Sequence, residues 1–282
     1  MSILSMFNPL SLSAFKIELL RNTDILSTAT ACLYGYDQKV YLITNRHNVT
    51  GKDPDGKCIS PTGALPDRMK LFFHKKKFNQ QGHYIVEWIE NYLDLYTFEN
   101  EQYIPNWYDH PIHGKAVDII AIPLEGDILS IKEQGISNEI INSIESPMIV
   151  DFHIFAGMDA FILGYPLKLT GGGNFPIWKR GTIATEYIVN LDYLPKYYVD
   201  TATTKSGMSG SPVFIQSTGI TYPKGKEEIG NGLLGNCYKF GGIYSGRYKV
   251  NNEMADLAII WKPEAIDEIL ATKQISSYKY YG

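Results

Sequence analysis

Cysteine is scarce in this chain of 282 residues, and the three present, Cys32, Cys58 and Cys237, are scattered. That excludes a disulfide framework, leaves at least one thiol free and provides no pair with zinc-ligand spacing. Positive charge is not in excess either: 26 Lys and Arg face 30 Asp and Glu, for a net charge of −4. Holding a phosphate backbone takes a basic field, so no nucleic-acid partner is expected. The short basic run "HKKK" at 74–77 reads as a solvated strand end. Long apolar runs are missing, with no window near the roughly 18 residues of a membrane helix, so no membrane partner is expected. The opening "MSILSMFNPLSLSAFKIELL" lacks a basic n-region and is interrupted by Lys16 and Glu18, which makes it a poor leader peptide. The glycine-rich "TGGGNF" at 170–175 has no Gly-Lys-Ser/Thr and opens no helix. It reads as a turn, not as a phosphate cradle. These absences together predict a soluble, cytoplasmic protein in a reducing compartment, without metal or other cofactor.

What the chain does contain is strand. "AFKIELL", "STATACLYGY", "KVYLITN", "RMKLFFH", "HYIVEWI", "DIIAIPL", "DAFILGYP", "RGTIATEYIV", "YYVDTAT", "SPVFIQS", "FGGIYSGRY" and "LAIIWK" are short and rich in β-branched and aromatic residues. Turn residues separate them. About a dozen such strands predict an all-β barrel or sandwich architecture. One helix is predicted at 262–273, "KPEAIDEILATK", where Pro263 suits the first turn and Glu264 the positive dipole end. A second is predicted at 137–145, with Ser137 as N-cap. The organisation is two β units, 1–125 and 151–282, joined through 126–150.

Chemistry concentrates at "SGMSGSPVF", 206–214. Small residues around a serine make a turn, or they expose a hydroxyl beside backbone N–H groups. A serine hydroxyl becomes a nucleophile only beside a base, usually a histidine that a carboxylate orients. All six histidines (47, 74, 83, 110, 113 and 153) precede Ser209. An α/β-hydrolase has its histidine after the serine, and "GMSGS" breaks the Gly-x-Ser-x-Gly elbow. The order Asp-His-Ser belongs to an α/β fold that the strand pattern disfavours. What remains is His-Asp-Ser: His47 at the end of "VYLITNRHNV", Asp118 at the start of "VDIIAIPL", and Ser209. His110 and His113 are rival bases, but "WYDHPIH" reads as a surface loop close to Asp118 in the chain. Taken singly, Ser209 is a turn serine, His47 a strand-end histidine and Asp118 a turn carboxylate. As an ordered trio they form a candidate active site.

"LITNRHNV", "VDIIAIPL" and "GMSGSPVF", in this order, resemble the chymotrypsin-fold (trypsin-like) serine peptidases, bacterial type, over about residues 15–270. The resemblance implies an all-β fold of two antiparallel barrels, a chymotrypsin-like double barrel with a C-terminal helix. The first barrel would carry His47 and Asp118, and the second Ser209. It implies His47 as general base, Asp118 as its orienter and Ser209 as nucleophile, with the N–H groups of Gly207 and Ser209 as oxyanion hole. Thr203 and Thr204 would line the pocket floor, and Tyr244, Ser245, Gly246 and Arg247 its wall. Met208 stands where the digestive members have an aspartate, so activation by an inserted N-terminus is not expected. Two functions follow. One is a serine endopeptidase acting on a protein or peptide, in its narrower form on one dedicated target protein. The other is a degenerate fold that binds a peptide along an edge strand near 243–247.

Overall fold

The structure, a computed structural model, describes residues 7–53, 55–78, 84–201, 205–250 and 253–281. Its strands sort into two main sheets. The first comprises β1 (Phe15–Arg21), β2 (Asp24–Tyr36), β3 (Lys39–Thr44), β4 (Arg68–Phe78), β5 (Tyr84–Asp94), β8 (Ile120–Asp127) and β9 (Ile140–Ile141). Its order is β5-β4-β1-β2-β3-β8, with β9 paired to β2. β6 (Tyr96–Glu99) and β7 (Gln102–Pro105) form a separate ribbon. The second sheet comprises β10 (Asp159–Gly164), β11 (Ile177–Ile183), β12 (Lys196–Asp200), β13 (Pro212–Thr221), β14 (Leu233–Val250) and β15 (Glu253–Trp261). It closes into a barrel in the order β10-β11-β12-β15-β14-β13. The expected all-β, double-barrel class with a C-terminal helix is the fold adopted. In the first unit, no ladder among the described residues joins β5 to β8, so that sheet keeps an open seam.

Alternation explains the first core. On β1, Phe15, Ile17 and Leu19 are fully buried in a cluster with Ala29, Ala31 and Leu33 of β2. Successive strand side chains point to opposite faces, so Lys16 and Glu18 fall on the other side. They pair at 3.0 Å, and the Lys16 ammonium lies 3.8 Å from the centre of the Phe72 ring. The second barrel is filled by Ile162, Val199, Val213, Ile215 and Ile260, with Met208 among them.

The helix expected at 262–273 is α3 (Pro263–Thr272), with proline in its first turn and Glu264 beside it. Ile266, Ile269 and Leu270 are fully buried and lie on one helical face. They join a third cluster that contains Tyr41 and Ile43 of β3 with Phe214, Ile243 and Trp261 of the second barrel. Each such aliphatic burial contributes about 1.5–3 kcal/mol. α3 therefore fixes one sheet against the other.

The helix expected at 137–145 is not formed. Ile140 and Ile141 instead pair in parallel with Leu33 and Tyr34. Ser137 and Asn138 do not cap a helix: the Ser137 N–H donates to the His74 carbonyl at 2.7 Å, and the Asn138 side chain donates to the Leu12 carbonyl at 3.0 Å. Burying two isoleucines on the sheet outweighs a weak local helix preference. The short helix of this region lies earlier, at α2 (Ile128–Glu133).

Candidate active site

β3 delivers the chain to Thr44. The next residues turn into a five-residue helix, α1 (Arg46–Thr50), which ends at Gly51 in the left-handed conformation. His47 is thus on a helical turn just after the strand, not at its end. The turn is tied to the segment before β8: the Asn45 side chain donates to the Asp118 carbonyl at 2.8 Å. The Asp118 carboxylate then grips His47 twice. One oxygen accepts the His47 backbone N–H at 2.8 Å, and the other meets Nδ1 at 2.6 Å. A carboxylate only accepts, so the proton sits on Nδ1 and the neutral ring leaves Nε2 basic. The Ser245 hydroxyl donates to the same Asp118 oxygen at 2.5 Å. Burial works to lower the His47 pKa, but the charge and hydrogen bond of Asp118 outweigh it, with a lesser push from Asp53, and the net shift is upward.

The serine loop is held from the first sheet. The Ser209 carbonyl accepts the Thr30 N–H at 2.9 Å and the Asn48 side-chain N–H at 3.4 Å. Asn48 is the neighbour of His47, so the Ser209 backbone is anchored one residue from that histidine. Among the described residues Ser209 Oγ is not hydrogen-bonded to His47. Such bonds are often long in unliganded sites and tighten with substrate. Gly207 and Gly210 have φ of 96° and 87°. A Cβ at the first would strike the Tyr165 carbonyl, and at the second the Thr30 carbonyl and the Thr44 hydroxyl. Two independent reasons, torsion and space, therefore require glycine at both places. Neither the Gly207 nor the Ser209 N–H donates to a protein acceptor among the described residues.

The remaining candidates separate. Thr203 and Thr204 lie outside the described residues. The Tyr244 ring is buried in the second barrel's core, so this residue offers its backbone to the site and not a pocket wall. Ser245 is turned to Asp118. Gly246 has open space at its Cβ, and Arg247 pairs with Asp256 at 3.6 Å. The segment 243–247 is not a free edge strand, because Ile243 pairs with both Pro212 and Trp261. On the β13 side the pairing stops there, extended only by Tyr244 N–H to the Ser211 carbonyl and Gly210 N–H to the Tyr244 carbonyl. Residues 245–247 then present one edge. His110 is buried, with Nδ1 accepting from the backbone of Ile112 and His113, and Nε2 lies 2.8 Å from Glu268. It is committed to structure. All three cysteines are free, and burial pushes the Cys32 thiol well above its ordinary range, so Cys32 supplies no thiolate.

No family model matches the chain, and no curated protein matches it. Solved structures do. An HtrA-type protease with a tripeptide is 10% identical with a TM-score of 0.46, over 96% of this chain and 63% of that one. This chain therefore spans less than two thirds of that protein. The scabies mite inactivated protease paralogue is 12% identical with a TM-score of 0.47, over 93% and 95%. The protease Anisep of Arthrobacter nicotinovorans is 14% identical with a TM-score of 0.44, over 92% and 94%. At such identities and TM-scores the likeness assigns neither a family nor a role to this chain. No described helix is long and apolar enough to cross a membrane. With its two β units and closing helix, the chain has an all-β architecture in which the second sheet is a closed barrel and a C-terminal helix follows it.

Proposed function

We propose that the protein is a serine endopeptidase that hydrolyses peptide bonds through an acyl-enzyme. The carrying observation is the doubly held His47–Asp118 pair, with Ser209 anchored through the residue next to that histidine. Ser209 Oγ attacks the scissile carbonyl carbon while His47 Nε2 takes its proton. The charge that develops on the carbonyl oxygen is met by the Gly207 and Ser209 N–H groups, each worth about 3–4 kcal/mol in such chemistry. Asp118 stabilises the imidazolium, which then protonates the leaving amine. Water enters by the same route and frees the serine. The edge at 245–247 suits an extended peptide added as a strand. The free thiols support a reducing, cytoplasmic setting.

Incubation with a fluorophosphonate should add one adduct per chain, mapped by peptide mass to Ser209. A well-folded protein that acquires none would sink the reading. The unformed Ser209–His47 bond favours the rival, a module that binds a peptide at 245–247 without cutting it. Peptide binding without labelling would establish that alternative.

The labelling rate should rise with pH through a single midpoint above 6.5, because only neutral His47 can accept the proton and its pKa is raised from that value. The stability contribution of the same pair runs the other way. It is fully present below the unfolded pKa and is lost as pH climbs through the raised folded one. A midpoint at or below 6.5 would show that Asp118 does not govern the ring.

A further inference from the structure

We propose that Thr30, on β2 of the first sheet, is the positioning residue of the oxyanion hole, its hydroxyl locking the loop that presents the Gly207 and Ser209 N–H groups. This rests on the reading of those two groups as oxyanion donors.

A trans peptide places its C=O and N–H on opposite sides, so tying the carbonyl aims the N–H. Three consecutive peptide units of the loop are tied this way. The Ser206 carbonyl accepts the Leu167 N–H at 2.7 Å, and the Met208 carbonyl accepts the Ser211 N–H at 3.0 Å. Their opposite ends are the Gly207 and Ser209 N–H groups, left without protein acceptors among the described residues. Between them, the Gly207 carbonyl accepts the Thr30 hydroxyl at 2.8 Å, and the Met208 N–H donates to the Lys205 carbonyl at 3.2 Å. This middle unit is held at both ends. Its rotation would swing both of its neighbours, and Gly207, free of a Cβ, offers little torsional resistance. The same freedom that lets glycine adopt this turn makes a lock necessary.

Of the three carbonyl partners, only that of Gly207 is a side chain, and it comes from the other sheet. Thr30 is fully buried. Its hydroxyl also accepts the Tyr165 N–H at 3.3 Å, so one oxygen spans both walls of the turn, residue 165 and residue 207. Its own backbone is held on both sides: its N–H donates to the Ser209 carbonyl, and its carbonyl accepts the Thr44 hydroxyl at 2.9 Å. A β-branched side chain on a strand has restricted χ1, which keeps the hydroxyl aimed. The donors are consequently aligned only when the first sheet is seated on the second barrel.

The test compares Thr30→Val, which keeps the shape and loses the hydroxyl, with Thr30→Ser, which restores it, in the full chain. Thr30→Val should lower kcat and weaken a peptide aldehyde inhibitor by about 10- to 100-fold, part of the loss expected for a whole oxyanion donor. KM should stay within a few-fold, and Thr30→Ser should recover most of the difference. Amide hydrogen exchange over 205–209 should quicken in the valine variant and return in the serine one. If valine fails to fold, Thr30→Ala supplies the same deletion without steric demand. A valine or alanine variant with wild-type kcat, inhibitor affinity and exchange would overturn the proposal, as would a serine variant no better than valine. If the wild type takes no fluorophosphonate the peptidase reading falls, yet the exchange comparison still decides whether Thr30 locks the loop.

Discussion

Ser209→Ala and His47→Ala should each lower kcat by about a million-fold, and the double replacement should lower it no further. In the proposed acyl-enzyme scheme the two residues perform one act. Without the imidazole, the serine hydroxyl keeps its proton and is a poor nucleophile at neutral pH. Without the hydroxyl, the imidazole has nothing to activate that the loop holds in place. Either loss removes the covalent route, and what survives is the help of the Gly207 and Ser209 N–H groups and of substrate binding, about 10³–10⁴-fold over water. Steady-state kinetics on one peptide, with active-site titration of the wild type, checks this. Losses that multiply in the double variant would mean that the residues act independently, which the acyl-enzyme scheme forbids. Neither change should unfold the chain, since Ser209 is only partly buried and is held through its carbonyl.

Asp118→Asn should cost about 10⁴-fold in kcat with little change in KM. The carboxylate accepts three hydrogen bonds, from the His47 backbone, His47 Nδ1 and Ser245. An amide has one oxygen and one NH₂. If the oxygen stays on the backbone N–H, the NH₂ faces Nδ1 and the ring must carry its proton on Nε2. That tautomer cannot take a proton from the serine. The imidazolium also loses its counter-charge while the burial that disfavours it remains. The pH midpoint should therefore fall in this variant, opposite to its upward displacement in the wild type. A variant that keeps both rate and midpoint would remove Asp118 from the site.

Much of this was legible in the chain itself. The paired strands β1 to β5 and the barrel strands fall where runs rich in β-branched and aromatic residues between turn residues put them. α3 announces itself by Pro263 and its apolar stripe. The pairing of His47 with Asp118 and the anchoring of Ser209 beside His47 were foreshadowed by the order of these residues in the chain. Other features were hidden for physical reasons. "RGTIATEYIV" looks like one strand, yet β11 ends at Ile183, and Ile188 and Val189 are exposed, since β-branched residues also occur in surface turns. β9 is two residues long, too short for any periodicity. The short α1 has no pattern separable from the end of β3. Ser245 reads as a strand residue near the pocket, and only the crossing of β14 past Asp118 turns its hydroxyl to the carboxylate. Thr30 is one threonine in a strand, and its partners lie more than 130 positions away.

The position of α3 bears on how such a chain would be made. Polypeptides emerge from the ribosome amino end first, and early portions begin to fold while later ones are still being added. The wedge formed by Ile266, Ile269 and Leu270 follows every other part of the junction it secures. A partly synthesised molecule would hold His47, Asp118 and Ser209 yet lack the piece that braces its halves, so the activity proposed for them should arrive only after that segment has emerged.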